Sequence, residues 1–268
     1  MRSGRDGWRY GVVVASVALL SACGGDGDGD TPGGNGGDKP VPSPDATGHV
    51  ATPFRPAAEN RWILMSREVR LGMGTTTTLE QQPDGSLRTV GRYAADADVR
   101  VTGIDGNAGF AMGTWQGGAY RSTRDADGAA TPYANADGAQ YVVYRAPVGL
   151  PDDGARHCVA HFSPASGLTG ATPVKVEGEA SLDVNGGVAQ AHVSLRIATS
   201  AGTVPVVRDS RFTADAFGLD AGALLAGGSG VGVTLGDTDG DGALLIAPWR
   251  VRSGGDIDAQ GMAVFHCK

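Results

Sequence analysis

Three histidines and one aspartate-rich run carry the side chains whose spacing suits metal chemistry. His157 and His161 flank Cys158, and His266 precedes Cys267. If the two cysteines sit opposite each other on antiparallel neighbours, His266 faces Val159 and lies diagonal to His157 and His161 on one side of the sheet. Three imidazoles so placed form a donor set for a transition metal or haem iron, but no carboxylate in the sequence stands ready to orient them. The plainer reading is an exposed polar strand face. Asp237-Thr238-Asp239-Gly240-Asp241-Gly242 matches the first six positions of a calcium loop, with oxygens at alternate positions and glycine for the turn. The twelfth position, which should be a bidentate glutamate, is Pro248, and no helical period flanks the run. A solvated turn at Asp237, Asp239 and Asp241 is therefore expected, with no metal and no cofactor. The chain has no Gly-x-Ser-x-Gly elbow, His-Glu-x-x-His, Cys-x-x-Cys, P-loop or Rossmann glycine pattern. It is not expected to be an enzyme and offers no catalytic residue, although scattered Asp, Glu and Ser can converge in a fold.

The elements that must position these residues are strands. Val174, Val176, Gly178, Ala180, Leu182 and Val184 share one parity, and Lys175, Glu177, Glu179, Ser181 and Asp183 take the other, the pattern of a strand with one wet face. The alternation resumes with Ala189, Ala191, Val193, Leu195 and Ile197. A two-residue Asn185-Gly186 turn of type I′ predicts Leu182 opposite Ala189, Gly178 opposite Val193, Val176 opposite Leu195 and Glu179 opposite His192. Further strands are expected at 61–71, 75–80, 86–93, 99–102, 110–115, 141–144, 157–162, 203–207, 231–235, 243–249 and 257–267. Pro83-Asp84-Gly85 and Asp105-Gly106 are the turn signatures between the earlier pairs. Only 217–225 hints at a short helix. The fold class is all-β, an antiparallel barrel or barrel-like sandwich, because strands near 174–197 exceed the usual five or six residues. Trp62, Trp115, Tyr120, Tyr141, Tyr144 and Trp249 are expected in the core or at a barrel rim.

The chain starts with a leader, residues 1–22. Arg2, Arg5 and Arg9 precede an apolar run at 11–20 and the small residues before Cys23. That run is about half the roughly 20 residues of a membrane-crossing helix. Leu20-Ser21-Ala22-Cys23 resembles the lipobox of bacterial lipoproteins, which implies cleavage before Cys23 and acylation of its thiol and amine. Gly24 stands where an aspartate favours inner-membrane retention in enteric lipoproteins, so the resemblance implies an outer-membrane anchor. Lipidation of Cys23 leaves Cys158 and Cys267 as an even pair in an oxidising compartment, and a bridge between them is expected, with two buried thiols as the alternative. Residues 23–52 are Gly, Asp, Pro, Thr and Ser with little to bury, a flexible tether. Removing Arg2, Arg5, Arg9 and Asp6 from 22 basic and 29 acidic residues leaves 19 and 28, a net of −9. That balance argues against nucleic acid as a partner.

Gly113-Thr114-Trp115-Gln116-Gly117-Gly118, the run at 141–144, Leu150-Pro151-Asp152-Asp153-Gly154 and the strand at 178–184 resemble the small barrels of lipid-anchored surface proteins of the transferrin-binding-protein-B type. The resemblance implies a barrel over 113–268, and the strands and turn signatures before it make 53–112 a β-hairpin region. It also implies binding of a protein or small-molecule ligand by rims and loops, without catalysis. The Cys158/Cys267 pair and the short loops depart from that family, and no binding residues carry over. Loops at 168–173, 199–202, 227–230 and 237–242 are where such a function would lie. A purely structural, envelope-maintaining role is the alternative, and an uncharacterised enzyme the third.

Overall fold

The computed structural model describes Val50 and residues 52–268, apart from 78, 123–131, 136, 164–165, 168–173 and 254–255. The leader, Cys23, nearly all of the tether and the loop at 168–173 lie outside these residues. Within them the protein is all-β, and its only helical element is a 3-10 turn at Gly222–Leu224. The helix expected at 217–225 shrinks to this turn because Gly218 and Gly222 lie within the segment and favour non-helical backbone, Gly222 taking φ 50.

Three sheets stack around three cores. A five-stranded sheet has the order β2 (Gly72–Thr76), β1 (Asn60–Met65), β9 (Ala139–Arg145), β6 (Phe110–Gln116), β5 (Arg100–Asn107). A four-stranded sheet runs β3 (Thr89–Val90), β4 (Tyr93–Ala95), β7 (Ala119–Ser122), β8 (Pro132–Ala134). The third has nine strands and curls into a nearly closed antiparallel barrel. Its path is β14 (Gly202–Thr213), β13 (Val188–Thr199), β12 (Lys175–Asn185), β10 (Gly154–Phe162), β18 (Asp256–Cys267), β17 (Ala243–Ser253), β15 (Gly230–Val231). β11 (Ser166–Gly167) adds to β18, and β16 (Thr234–Gly236) adds to β17.

Burial patterns separate the walls by what they face. β12, β13 and β14 alternate buried and exposed residues, as expected of a wall with core inside and water outside. β6, β9 and β17 are buried almost continuously, because both of their faces are covered. Leu182, Val193, Leu195, Phe212, Leu245, Trp249 and Phe265 fill the barrel. Leu244, Ile246, Met262 and Val264, on the outside of β17 and β18, pack against Ile63, Met65, Phe110, Met112, Val142 and Tyr144 of the five-stranded sheet. The opposite side of that sheet, with Trp62, Leu64, Trp115 and Tyr141, packs on Tyr93 and Tyr120 of the small sheet. Across the remaining gap Asp220 accepts hydrogen bonds from Arg208 and Ser210 of β14 and bridges through its backbone to Val233. Burial pushes the Asp220 carboxyl up, but its bonds to Arg208 and Ser210 hold it below the usual value.

Several expectations need correcting. The hairpin turn is Gly186-Gly187, since Asn185 pairs with Val188, so Leu182 faces Ala191, Gly178 faces Leu195 and Val176 faces Ile197. A type I′ turn needs positive φ at both central residues, and Gly186 and Gly187 supply φ 57 and 78 without a Cβ. The slip preserves parity, so apolar still meets apolar, and Ser181 rather than Glu179 meets His192. Asp105-Gly106 is not a turn: both residues lie in β5, and the chain reverses at Ala108-Gly109. The stretch at 61–71 is not one strand, because β1 ends at Met65 and β2 starts at Gly72. The stretch at 231–235 divides into β15 and β16 opposite Pro248, which has no N–H to give a neighbour. The boundary expected at Gly113 falls inside β6, whose covered faces tie it to β5 and β9, so the barrel begins only at β10. The tether ends before Val50, which is 7% exposed and packs in the core of the small sheet.

Candidate functional site

Cys158 and Cys267 are directly paired across β10 and β18 and form a disulfide. Their neighbours fall on the outside of that wall, as the register requires: His266 faces Val159, and His161 faces Val264. The histidines do not converge on a metal. Among the described residues no group of three or more His, Cys, Asp or Glu side chains is placed to hold one. His157 is exposed, while His161 turns to β5, where its Nδ1 lies 3.1 Å from Asp105 Oδ2 and its ring meets Phe110 edge-on at 5.4 Å. Burial pushes the Asp105 carboxyl up, but the His161 ring and the Gly106 N–H hold it below the usual carboxylate value.

Burial, then Lys268 and His161, push the His266 imidazole down, against the pull of the Asp241 backbone. The sign follows: below the usual histidine pKa of about 6.5 the unfolded chain takes up a proton that the folded chain resists, so stability falls as pH drops through that range. Urea midpoints measured from pH 7.5 to 5 should decline, and His266→Gln should flatten the decline. An unchanged slope in the variant would show that other groups set it.

The aspartate-rich turn joins β16 to β17 with Asp239, Gly240 and Asp241 exposed, and it is also a clasp. Arg145 at the end of β9 donates from Nε to Asp237 Oδ2 at 2.9 Å and from Nη1 to Asp239 Oδ1 at 2.6 Å. Arg55 adds a second contact to Asp239 at 3.3 Å, and Thr238 Oγ1 caps the Gly240 carbonyl at 2.8 Å. Asp239 takes φ 67 to make the turn. Two carboxylates are thus spent on guanidinium groups, which joins the barrel end to the five-stranded sheet. Asp241 makes no ion pair among the described residues.

Polar side chains converge elsewhere, on the outer wall of the barrel. Ser181, His192 and Asp209 stand in one row across β12, β13 and β14. Asp183, Gln190 and Arg211 form the next row, and together they border a hollow of about 460 Å³. His192 Nδ1 lies 2.7 Å from Asp209 Oδ1. The row has the order of a nucleophile, base and orienting acid, but Ser181 makes no hydrogen bond to the ring, and the Asp209 side chain is 83% exposed. Water therefore screens the charge that would have to stabilise an imidazolium. Sequence reading missed this row because it paired His192 with Glu179. A second hollow, about 400 Å³, lies beside Trp62, Met73, Gly91 and Arg92.

Trp62, Trp115, Tyr120, Tyr141, Tyr144 and Trp249 are all buried. The exposed large apolar side chains among the described residues are Met73, Val148, Val159, Val207 and Leu225, scattered and none aromatic. No family model, no curated protein and no solved structure matches this chain.

Proposed function

We propose that the chain is a lipid-anchored envelope lipoprotein of the outer membrane, with a two-part β module that binds a polar partner. The observation that carries the reading is Leu20-Ser21-Ala22-Cys23 behind a basic, apolar leader. The Cys158–Cys267 disulfide supports it, because such bridges persist in oxidising compartments. Acylation at more than one position of Cys23 satisfies the need for two hydrophobic signals in a stable anchor. A tether of 23–49 then lets the module meet partners near the membrane. The outer hollow with His192, Asp209, Arg211 and Gln190 offers donors and acceptors to a polar ligand or protein surface.

A structural, envelope-maintaining role is the second reading. It is favoured by the scatter of exposed apolar side chains, which form no aromatic patch. The anchor is tested by detergent partition and palmitate labelling of the protein expressed with its leader. Cys23→Ala is expected to abolish labelling and release the module, and labelling that survives in the variant rejects the anchor. Binding is tested by capture from envelope extract and host fluids: a partner lost on Arg211→Glu supports the outer hollow.

A further inference from the structure

Among the described residues Arg250 is a buried charged side chain with no ion-pair partner. Arg250, in β17, is 0% exposed. Its Nε and Nη2 donate to Gln260 Oε1 at 3.2 and 3.0 Å, and Nη2 also donates to the Arg70 carbonyl at 2.5 Å. Among the described residues Nη1 has no partner, nor does Gln260 Nε2. Among the described residues no carboxylate forms an ion pair with Arg250 or Arg70. Burial, then Arg252 and Arg70, push the guanidinium down to about 10, which still leaves it charged at neutral pH. Buried arginines are normally paired, because a desolvated charge without a counter-charge is costly.

The surroundings have the same character. Arg250 continues the row of Leu244 and Ile246, and Gln260 that of Met262 and Val264, so both face the five-stranded sheet. On that sheet Gln140 continues the row of Val142 and Tyr144, and it pairs with Met65 on one side and Thr114 on the other. Met65 ends β1 just before the segment whose Arg70 carbonyl receives Arg250, so the polar groups share one end of the interface. Both amide atoms of Gln140 and the Thr114 hydroxyl are also buried and without partners among the described residues. The unmet atoms include three N–H donors, Arg250 Nη1, Gln260 Nε2 and Gln140 Nε2, beside the Gln140 Oε1 acceptor and the Thr114 hydroxyl, and each unpaired buried donor bears its full desolvation penalty. Buried Gly227 sits between two more guanidiniums, those of the exposed Arg70 and Arg252: a Cβ there would lie 3.7 Å from Arg252 Nη1 and 3.8 Å from Arg70 Nη1, and Arg252 Nη1 donates to the Gly227 carbonyl at 2.7 Å.

We propose that this end of the interface is a binding site for a small oxyanion, held by Arg250 and Gln260 inside and reached past Arg70 and Arg252. A carboxylate or phosphate oxygen accepts from Nη1 and from the Gln260 amide, and supplies the counter-charge that the described residues lack. The site is independent of the anchor and of the outer hollow, so its failure would leave the lipoprotein reading untouched.

The test uses the full-length protein in detergent with its disulfide intact. Thermal midpoints are followed as sodium acetate or inorganic phosphate replaces sodium chloride at constant ionic strength. Wild type is expected to show a saturable rise with at least one probe, about 5–10 °C at roughly 100 times the half-saturating concentration. Arg250→Met, which fills the space without the charge, is expected to lose that rise and to be at least as stable as wild type in chloride alone. The exposed Arg70→Gln/Arg252→Gln pair, which leaves the buried layer intact, should raise the half-saturating concentration several-fold and serves if Arg250→Met does not fold. The probe that saturates identifies carboxylate or phosphate as the ligand class. A wild-type response that never saturates, or one that Arg250→Met and the Arg70→Gln/Arg252→Gln pair both retain, overturns the site.

Discussion

Replacing Cys158 and Cys267 by alanine is expected to lower the unfolding free energy by about 2–5 kcal/mol, a large share of the roughly 5–15 kcal/mol typical of a folded domain. The bridge spans a sequence separation of 109 and so removes much freedom from the unfolded chain; the chain-entropy limit for a loop of that order is about 4.7 kcal/mol. It joins directly paired residues, so the native ladder between β10 and β18 and the bridge specify the same register. Its position adds to the effect. Cys267 is fully buried at the end of β18, which contributes to the barrel core on one side and to the interface with the five-stranded sheet on the other. Fraying there would loosen two cores at once. Urea unfolding with and without reductant, beside the double alanine variant, measures the loss, and coincident midpoints for all three would show that the ladder alone holds the strands. Alanine is the informative choice, because a serine hydroxyl at a fully buried Cys267 would add its own desolvation penalty.

Strand parity was the most legible property of this chain, because a half-buried strand exposes its alternation directly. The faces of β12 and β13 follow from residues 174–197, and the pairing of Cys158 with Cys267 was expected from the cysteine count once Cys23 was set aside. Register was less legible, since Asn185-Gly186 and Gly186-Gly187 are both good turns and both keep apolar residues together. The choice turned on the smaller penalty for glycine at two positive φ angles. Assembly of the sheets was not legible. The run Ala-Leu-Leu-Ile-Ala-Pro-Trp-Arg-Val in β17 says that both faces are covered, but not what covers them. For the same reason Arg250 drew no notice, since the strand expected at 243–249 stops one residue short of it while β17 runs on to Ser253. The signal was present: an arginine between Trp249 and Val251 in a strand without alternation has no wet face to point to. The side of the sheet on which the histidines stand was legible, but the partner of His161 was not. His161 and His266 are where parity put them, but β5 brings Asp105 to His161, a contact that no spacing within β10 and β18 reveals.

Gly91→Ala is expected to cost about 2–5 kcal/mol, from about 1–2 kcal/mol for a Cβ in left-handed backbone and about 1–3 kcal/mol for overpacking. Gly91 has φ +57, and an added Cβ would lie 2.1 Å from Trp62 Cε2 and 2.2 Å from Nε1. The indole cannot easily yield. It is 5% exposed, its Nε1 donates to the Thr75 carbonyl at 3.3 Å, its ring meets Tyr93 edge-on at 5.8 Å, and Gly74 presses on it with a would-be Cβ at 3.0 Å. Gly186 supplies the control, because it has the same φ of +57 but open space where its Cβ would point. Gly186→Ala therefore carries the backbone cost alone, and the difference between the two variants isolates the clash with Trp62. If that difference arises at the ring, Trp62→Leu should reduce the further cost of Gly91→Ala, a non-additivity that a double-mutant cycle reads directly. Equal losses at Gly91 and Gly186 would mean that Trp62 moves aside at little cost, and that the hollow beside it is a deformable surface rather than one braced by two glycines.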